Sequence, residues 1–252
     1  MKYKRYFVKT PFGVIHTLEA GSGQPVVFLH GWSADAYTCT KILKCLSKNF
    51  HVTIPTLPGW HPSYPLERTD NPTEAFRALG DWLDATRLQD VILVGHSLGG
   101  VAAVNLYVQR PQAVSRLVLI DAVGVPLERE HALWKKLWFQ KRLRMYASYG
   151  IRVVTRLDRA LVKHALIRKE HLGRMSRYAR TANMLPLLDH VQLPVEFLWG
   201  AQDGYTPVST ARTMAEHCKT SSLTEVLGDH DWPLFTPNVL LAYLTGHAAS
   251  KA

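Results

Sequence analysis

The chain has 252 residues and no uninterrupted apolar run of about 18, so no membrane-spanning helix is expected. Its opening MKYKRYFVKTPFG is charged and lacks the apolar stretch of about 7–15 residues that a secretory leader needs. Cysteine is scarce: Cys39, Cys45 and Cys218 are odd in number and show no CxxC spacing. That excludes a disulfide framework and reads as reduced thiols in a cytoplasmic compartment. The 12 histidines never form HExxH or a Cys/His array, so neither a metal nor a cofactor is expected. Repeats and low-complexity tracts are missing, and 47% hydrophobic with 20% charged residues argues against disorder. Acidic residues are thin in one place only. Residues 128–180 hold 15 Lys/Arg and 4 Asp/Glu, whereas the rest of the chain is close to neutral.

What is present is a regular alternation. Residues 3–8 and 13–19 flank the turn TPFG and read as a hairpin. Short apolar runs follow at 25–29, 52–55, 91–94, 117–120, 195–199 and 223–227, suited to strands buried on both faces. Between them lie helical patterns. The helix at 72–86 begins with Asn71 as cap and Pro72 in the first turn. Thr206-Pro207 and Thr236-Pro237 open two later helices in the same way. Such alternation predicts an α/β fold with a mostly parallel sheet flanked by helices. From 121 to 194 no strand signal appears. Residues 124–190 therefore read as a helical cap inserted after the sixth strand, with 1–123 and 191–252 forming the core.

The stretch 91–107, VILVGHSLGGVAAVNLY, runs a strand straight into a helix through Gly95-His96-Ser97-Leu98-Gly99. Side chains two before and two after the serine would collide in so tight a turn, so glycine is required there. The serine then stands clear of the sheet, facing the positive end of a helix. The bland alternative is a tight turn with an incidental serine. A serine hydroxyl needs a base and an orienting acid to act as nucleophile. Ligands in open α/β sheets bind beyond the carboxyl ends of the strands. Asp203 follows the strand VEFLW and His230 follows LTEVL, both at the end that carries Ser97. The chain order Ser, Asp, His is the order expected for this elbow.

With VVFLHGW (26–32), LPGW (57–60), GHSLGG (95–100), LWGAQDGYTP (198–207) and GDHDWP (228–233), the chain resembles the α/β-hydrolase fold family over nearly its whole length. The resemblance implies Ser97 as nucleophile, His230 as base and Asp203 as orienting acid. It also implies an oxyanion hole of two backbone N–H groups, from Leu98 and from Trp32, the residue after His-Gly. Other residues compete for these roles. Asp121 ends the strand LVLID, a place where some family members carry the acid. His96 reads as a packing or local hydrogen-bonding residue, and His30 as one that fixes the loop before the oxyanion donor. Asp229 and Asp231 read as surface loop residues, and Trp32 as a wall of the acyl pocket through its ring. The loop Pro55–Ser63 and the segment Phe235-Thr236-Pro237 depart from common family patterns, so the resemblance carries no substrate class.

Within the cap, Leu133, Trp134, Leu137, Trp138 and Met145 share a helical face flanked by Lys135, Lys136, Lys141, Arg142 and Arg144. Trp134, Leu137 and Trp138, with Trp32, are candidate pocket residues. This face packs on the core, or binds an acidic partner such as an acyl carrier protein or coenzyme A thioester, or lies on an anionic membrane surface. Nucleic acid is not expected, because no reading motif accompanies the charge. The expected activity is cleavage of a small carboxylic ester or thioester through an acyl-enzyme. The alternatives are carbon–carbon bond hydrolysis or cofactor-free perhydrolysis by the same three residues, or ligand binding on a hydrolase scaffold.

Overall fold

A computed structural model of the chain describes residues 2–65, 72–126 and 151–246. Asn71, Trp134, Leu137 and Trp138, and the basic stretch up to residue 150, lie outside the described residues. Strands β1 (Lys4–Thr10) and β2 (Gly13–Ala20) form the expected hairpin, paired from Lys4 with Glu19 to Thr10 with Gly13. Strands β3 (Pro25–Leu29), β4 (His51–Pro55), β6 (Val91–His96), β7 (Val114–Ile120), β8 (Val195–Gly200) and β9 (Ser221–Val226) pair in parallel. A two-residue strand β5 (Tyr64–Pro65) pairs with β2 and was not signalled in the sequence. It carries too few residues for an alternation pattern. Its presence makes Val114–Ile120 the seventh strand rather than the sixth.

The sheet order is β1-β2-β4-β3-β6-β7-β8-β9. From β3 the chain steps outward to β4, then returns to build β6 to β9 on the other side. The reversal puts a crevice between the carboxyl ends of β3 and β6, where open α/β sheets place ligands. All six residues of β6 are buried, as a central strand covered on both faces requires.

Helices α1 (Thr40–Leu46), α2 (Pro72–Thr86) and α3 (Leu98–Gln109) cover the first half of the sheet. Residues 98–107 of α3 are all buried, because the helix lies between the sheet and its neighbours. Between β7 and β8 come α4 (Ile151–Ile167), α5 (Lys169–Thr181) and α6 (Leu185–Leu188). Helices α7 (Val208–Ala215), α8 (Trp232–Phe235) and α9 (Pro237–Leu244) complete the chain. The two faces hold separate cores, one built on Leu93, Phe197, Trp82 and Met214, the other on Phe28, Ile42, Val118 and Leu240. No described helix is long and apolar enough to cross a membrane.

Of the two later cap-then-proline starts, one moves by a residue and the other keeps its place without a side-chain cap bond. Helix α7 begins at Val208, with Pro207 as its cap residue and no side-chain cap bond. The Thr206 hydroxyl is drawn instead to the Asp203 carboxylate, 2.7 Å away. At α9, Thr236 is the cap residue by position, but its hydroxyl donates backward to the Trp232 carbonyl at 2.9 Å.

Candidate active site

Ser97 is the first departure from β6 and has φ 55° and ψ −119°. A non-glycine residue in such a conformation costs on the order of 1–3 kcal/mol and persists only when its surroundings hold it. The hold is visible: the Ser97 N–H donates to Ile120 O (2.9 Å), and Ser97 O accepts from Gly100 (2.9 Å) and Val123 (3.2 Å). The flanking glycines have the reason read from the sequence. A Cβ on Gly95 would lie 2.5 Å from Gly99 O, and one on Gly99 would lie 2.1 Å from Leu29 O.

The loops after β8 and β9 bring Asp203 and His230 to this serine. His230 Nε2 lies 2.9 Å from Ser97 Oγ, and His230 Nδ1 lies 2.7 Å from Asp203 Oδ2. All three residues are under a tenth exposed. A carboxylate only accepts, so Nδ1 carries the ring proton and Nε2 presents its lone pair to the Ser97 hydroxyl. Asp203 is itself fixed at every point. Its Oδ1 accepts the N–H groups of Tyr205 (2.7 Å) and Thr206 (3.1 Å), and its Oδ2 accepts the Thr206 hydroxyl.

The competing residues are placed elsewhere. Asp121 Oδ1 accepts the Gly200 N–H at 2.7 Å and so ties β7 to the end of β8. His96 Nε2 donates to the His230 carbonyl at 2.7 Å, anchoring the loop that carries the imidazole. Asp229 accepts the Asp231 N–H at 3.2 Å within its own loop.

His30 bridges two loops. Its Nε2 accepts the Leu57 N–H at 2.9 Å, and since an amide only donates, Nδ1 is left to donate to Gly31 O at 2.9 Å. Burial pushes its pKa down to about 3, so the neutral form that makes both bonds prevails. The Gly31 backbone this holds lies beside Ser97, where an added Cβ would come within 3.1 Å of Ser97 Cβ. Trp32 comes next, half-buried, with its indole N–H donating to Leu172 O at 3.2 Å. Among the described residues, neither the Leu98 nor the Trp32 backbone N–H donates a hydrogen bond. Leu98 opens α3, where the first amides have no partner within the helix.

His96, His230 and Asp231 offer ligand atoms within 4.8 Å of one another, the closest approach to a metal cluster among the described residues. Both ring nitrogens of His230 are committed to Ser97 and Asp203, and His96 Nε2 to a carbonyl, so this donor set fits hydrogen bonding better than a cation.

Sequence reading missed two partners of the site. Thr206 had a signal: a threonine three residues after an aspartate favours local side-chain bonding. The tie from His96 to the His230 carbonyl had none, because it joins residues 134 apart.

A mostly parallel sheet whose serine stands on a strand–helix elbow at its carboxyl edge, facing a histidine and an aspartate from later loops, defines the class of α/β hydrolases. The alpha/beta hydrolase fold family model matches residues 24–152, and the chain belongs to that family. It is 28% identical over 233 residues to a pimeloyl-[acyl-carrier protein] methyl ester esterase of Nitrosomonas europaea, covering 83% of this chain and 89% of that one. It is 25% identical over 219 residues to a 2-hydroxy-6-oxononadienedioate/2-hydroxy-6-oxononatrienedioate hydrolase of Dechloromonas aromatica, covering 77% and 76%. Uncharacterized proteins of Mycobacterium tuberculosis and Mycobacterium bovis are 36% identical over 107 residues, and the match spans about a third of their length (31%). Among solved structures, a serine hydrolase involved in carbazole degradation superposes with a TM-score of 0.81 at 19% identity, covering 98% of both chains.

Proposed function

We propose that the chain hydrolyses a carboxylic ester or thioester through an acyl-enzyme on Ser97. Ser97 Oγ attacks the acyl carbon while its proton passes to His230 Nε2. The carbonyl electrons move onto oxygen, and the backbone N–H groups of Leu98 and Trp32 stabilise that oxyanion. Asp203 keeps the imidazole in the accepting tautomer and offsets the imidazolium charge. The tetrahedral species collapses, and His230 returns the proton to the departing alcohol or thiol. Water then enters, gives a proton to Nε2 and attacks the acyl carbon. A second collapse frees the acid and regenerates the serine.

The observation that carries this reading is the continuous chain Ser97 Oγ–His230–Asp203, at 2.9 and 2.7 Å, with the proton order forced by an acceptor-only carboxylate. The relative named as a methyl ester esterase supports ester chemistry. A second reading, hydrolysis of a carbon–carbon bond beside a carbonyl, is favoured by the relative named as a dienedioate hydrolase. The basic character of 128–180 supports an acidic carrier on the leaving group, in which case kcat/KM for a carrier thioester falls steeply with salt. The test is a panel of p-nitrophenyl esters of increasing length beside acyl thioesters and a 2-hydroxy-6-oxodienoate, with fluorophosphonate labelling of native protein and Ser97→Ala. Labelling that depends on Ser97, with ester or thioester turnover, is expected. Turnover of the dienoate alone selects the second reading, and absence of labelling selects a ligand-binding protein.

A further inference from the structure

Two histidines on the helices between β7 and β8 pack about the loop that carries Gly59 and Trp60, and among the described residues three of their ring nitrogens are buried without a hydrogen-bond partner. His164 on α4 is fully buried, and neither of its nitrogens has a partner. His171 on α5 has a buried Nε2 without one. Between them stands Trp60, fully buried, with an unpartnered indole Nε1. The indole lies edge-on to both imidazoles, 5.1 Å from His164 and 5.0 Å from His171 between ring centres. A buried polar group left unpaired is costly, so four such nitrogens in one cluster call for a partner that belongs there.

Contacts link the cluster to the loop that carries Gly31 and Trp32. The His171 ring fills the space over Gly59, where an added Cβ would come within 2.2 Å of it. Leu172, the following residue, accepts the Trp32 indole N–H. The Trp60 backbone N–H donates to Leu57 O, and Leu57 N–H donates to His30, whose neighbour Gly31 would bring an added Cβ within 3.1 Å of Ser97 Cβ. The surroundings are positive. Burial is the largest cause that lowers His164 and His171, each to about 4, and Lys163, Arg168 and Arg174 add to it. Among the described residues, no carboxylate is a cause of either shift. Lys163 also acts on the Asp35 carboxylate, which accepts the Thr38 N–H. Neutral imidazoles and an indole offer N–H donors, and bonds from such donors to an anionic oxygen are roughly twice as strong as those to a neutral one.

We propose that Trp60, His164 and His171 form a subsite for a carboxylate at the far end of the acyl chain, so that the preferred substrates are half-esters or half-thioesters of dicarboxylic acids. This rests on the acyl-enzyme reading for the reaction, while the binding itself does not.

Two experiments test it. Mono-p-nitrophenyl adipate is compared with p-nitrophenyl hexanoate, which has the same chain length without the carboxylate. The wild type is expected to favour the adipate ester at least tenfold in kcat/KM, and Trp60→Phe and His171→Gln to bring that ratio toward one. Calorimetry on Ser97→Ala, with adipate against hexanoate, reads binding without turnover, and adipate is expected to bind at least tenfold more tightly. Equal affinity for the two acids overturns the subsite whether or not the variants fold, as does a preference that Trp60→Phe leaves intact. If no ester or thioester is turned over, the acyl-enzyme reading fails, while the calorimetric comparison still decides the subsite.

Discussion

Replacing Asp203 with asparagine tests the proton order on which the mechanism depends. Oδ1 of Asp203 faces two backbone N–H donors, from Tyr205 and Thr206. The asparagine carbonyl oxygen must take that position, because an amide NH2 there would meet two donors. The NH2 then faces His230 Nδ1. A donor at that point makes Nδ1 the acceptor and moves the ring proton to Nε2, which in turn points a proton at Ser97 Oγ and has no lone pair to receive one. Loss of the base in this way costs about 10⁴-fold in kcat, or about 5.5 kcal/mol of transition-state stabilisation. Size and packing are unchanged, so the melting temperature should move little. The control is Asp121→Asn. Asp121 takes the Gly200 N–H through Oδ1, which an asparagine oxygen reproduces, and activity should stay within about tenfold of wild type. The assay is kcat for the best ester of the panel, with thermal melting of each variant. A Asp203→Asn protein that keeps a tenth of its activity, or an Asp121→Asn protein that loses as much as Asp203→Asn, refutes the assignment.

Three further outcomes follow from the same contacts. Gly99→Ala drives a Cβ into the Leu29 carbonyl, and backbone rather than a flexible side chain must yield; a loss of about 1–3 kcal/mol or more is expected in denaturant unfolding, together with lost activity as β3 carries the oxyanion loop with it. His96→Phe removes the donor to the His230 carbonyl and should lower kcat about 10–100-fold while KM changes little; unchanged kcat sinks the positioning role. Acid should weaken the fold before carboxylates titrate. His16, His164 and His171 are held down to about 4 and His30 to about 3, chiefly by burial, whereas the unfolded chain protonates near 6.5. Between those values the unfolded state binds more protons, so stability falls as pH drops from about 6.5 toward 4, by at most about 1.4 kcal/mol per pH unit for each refused proton. A denaturation midpoint that stays flat across that window contradicts the burial of these rings.

The sequence by itself determined the parts of this protein that are local. The buried strands were legible because a strand covered on both faces must be continuously apolar over a few residues. The elbow was legible because Gly95 and Gly99 answer collisions within a single turn of chain. Asp203 and His230 were legible because strand–helix alternation puts the ends of successive parallel strands on one edge. Only the tertiary structure decided what depends on pairs distant in the chain: that the Thr206 hydroxyl serves Asp203 rather than the helix after it, that His96 holds the His230 loop, and that His164 and His171 meet Trp60 more than 100 residues away. A hydrogen bond or ring contact of that kind leaves no period in the sequence, since its geometry is fixed by how the sheet and the helices between β7 and β8 pack rather than by the spacing of residues along either one.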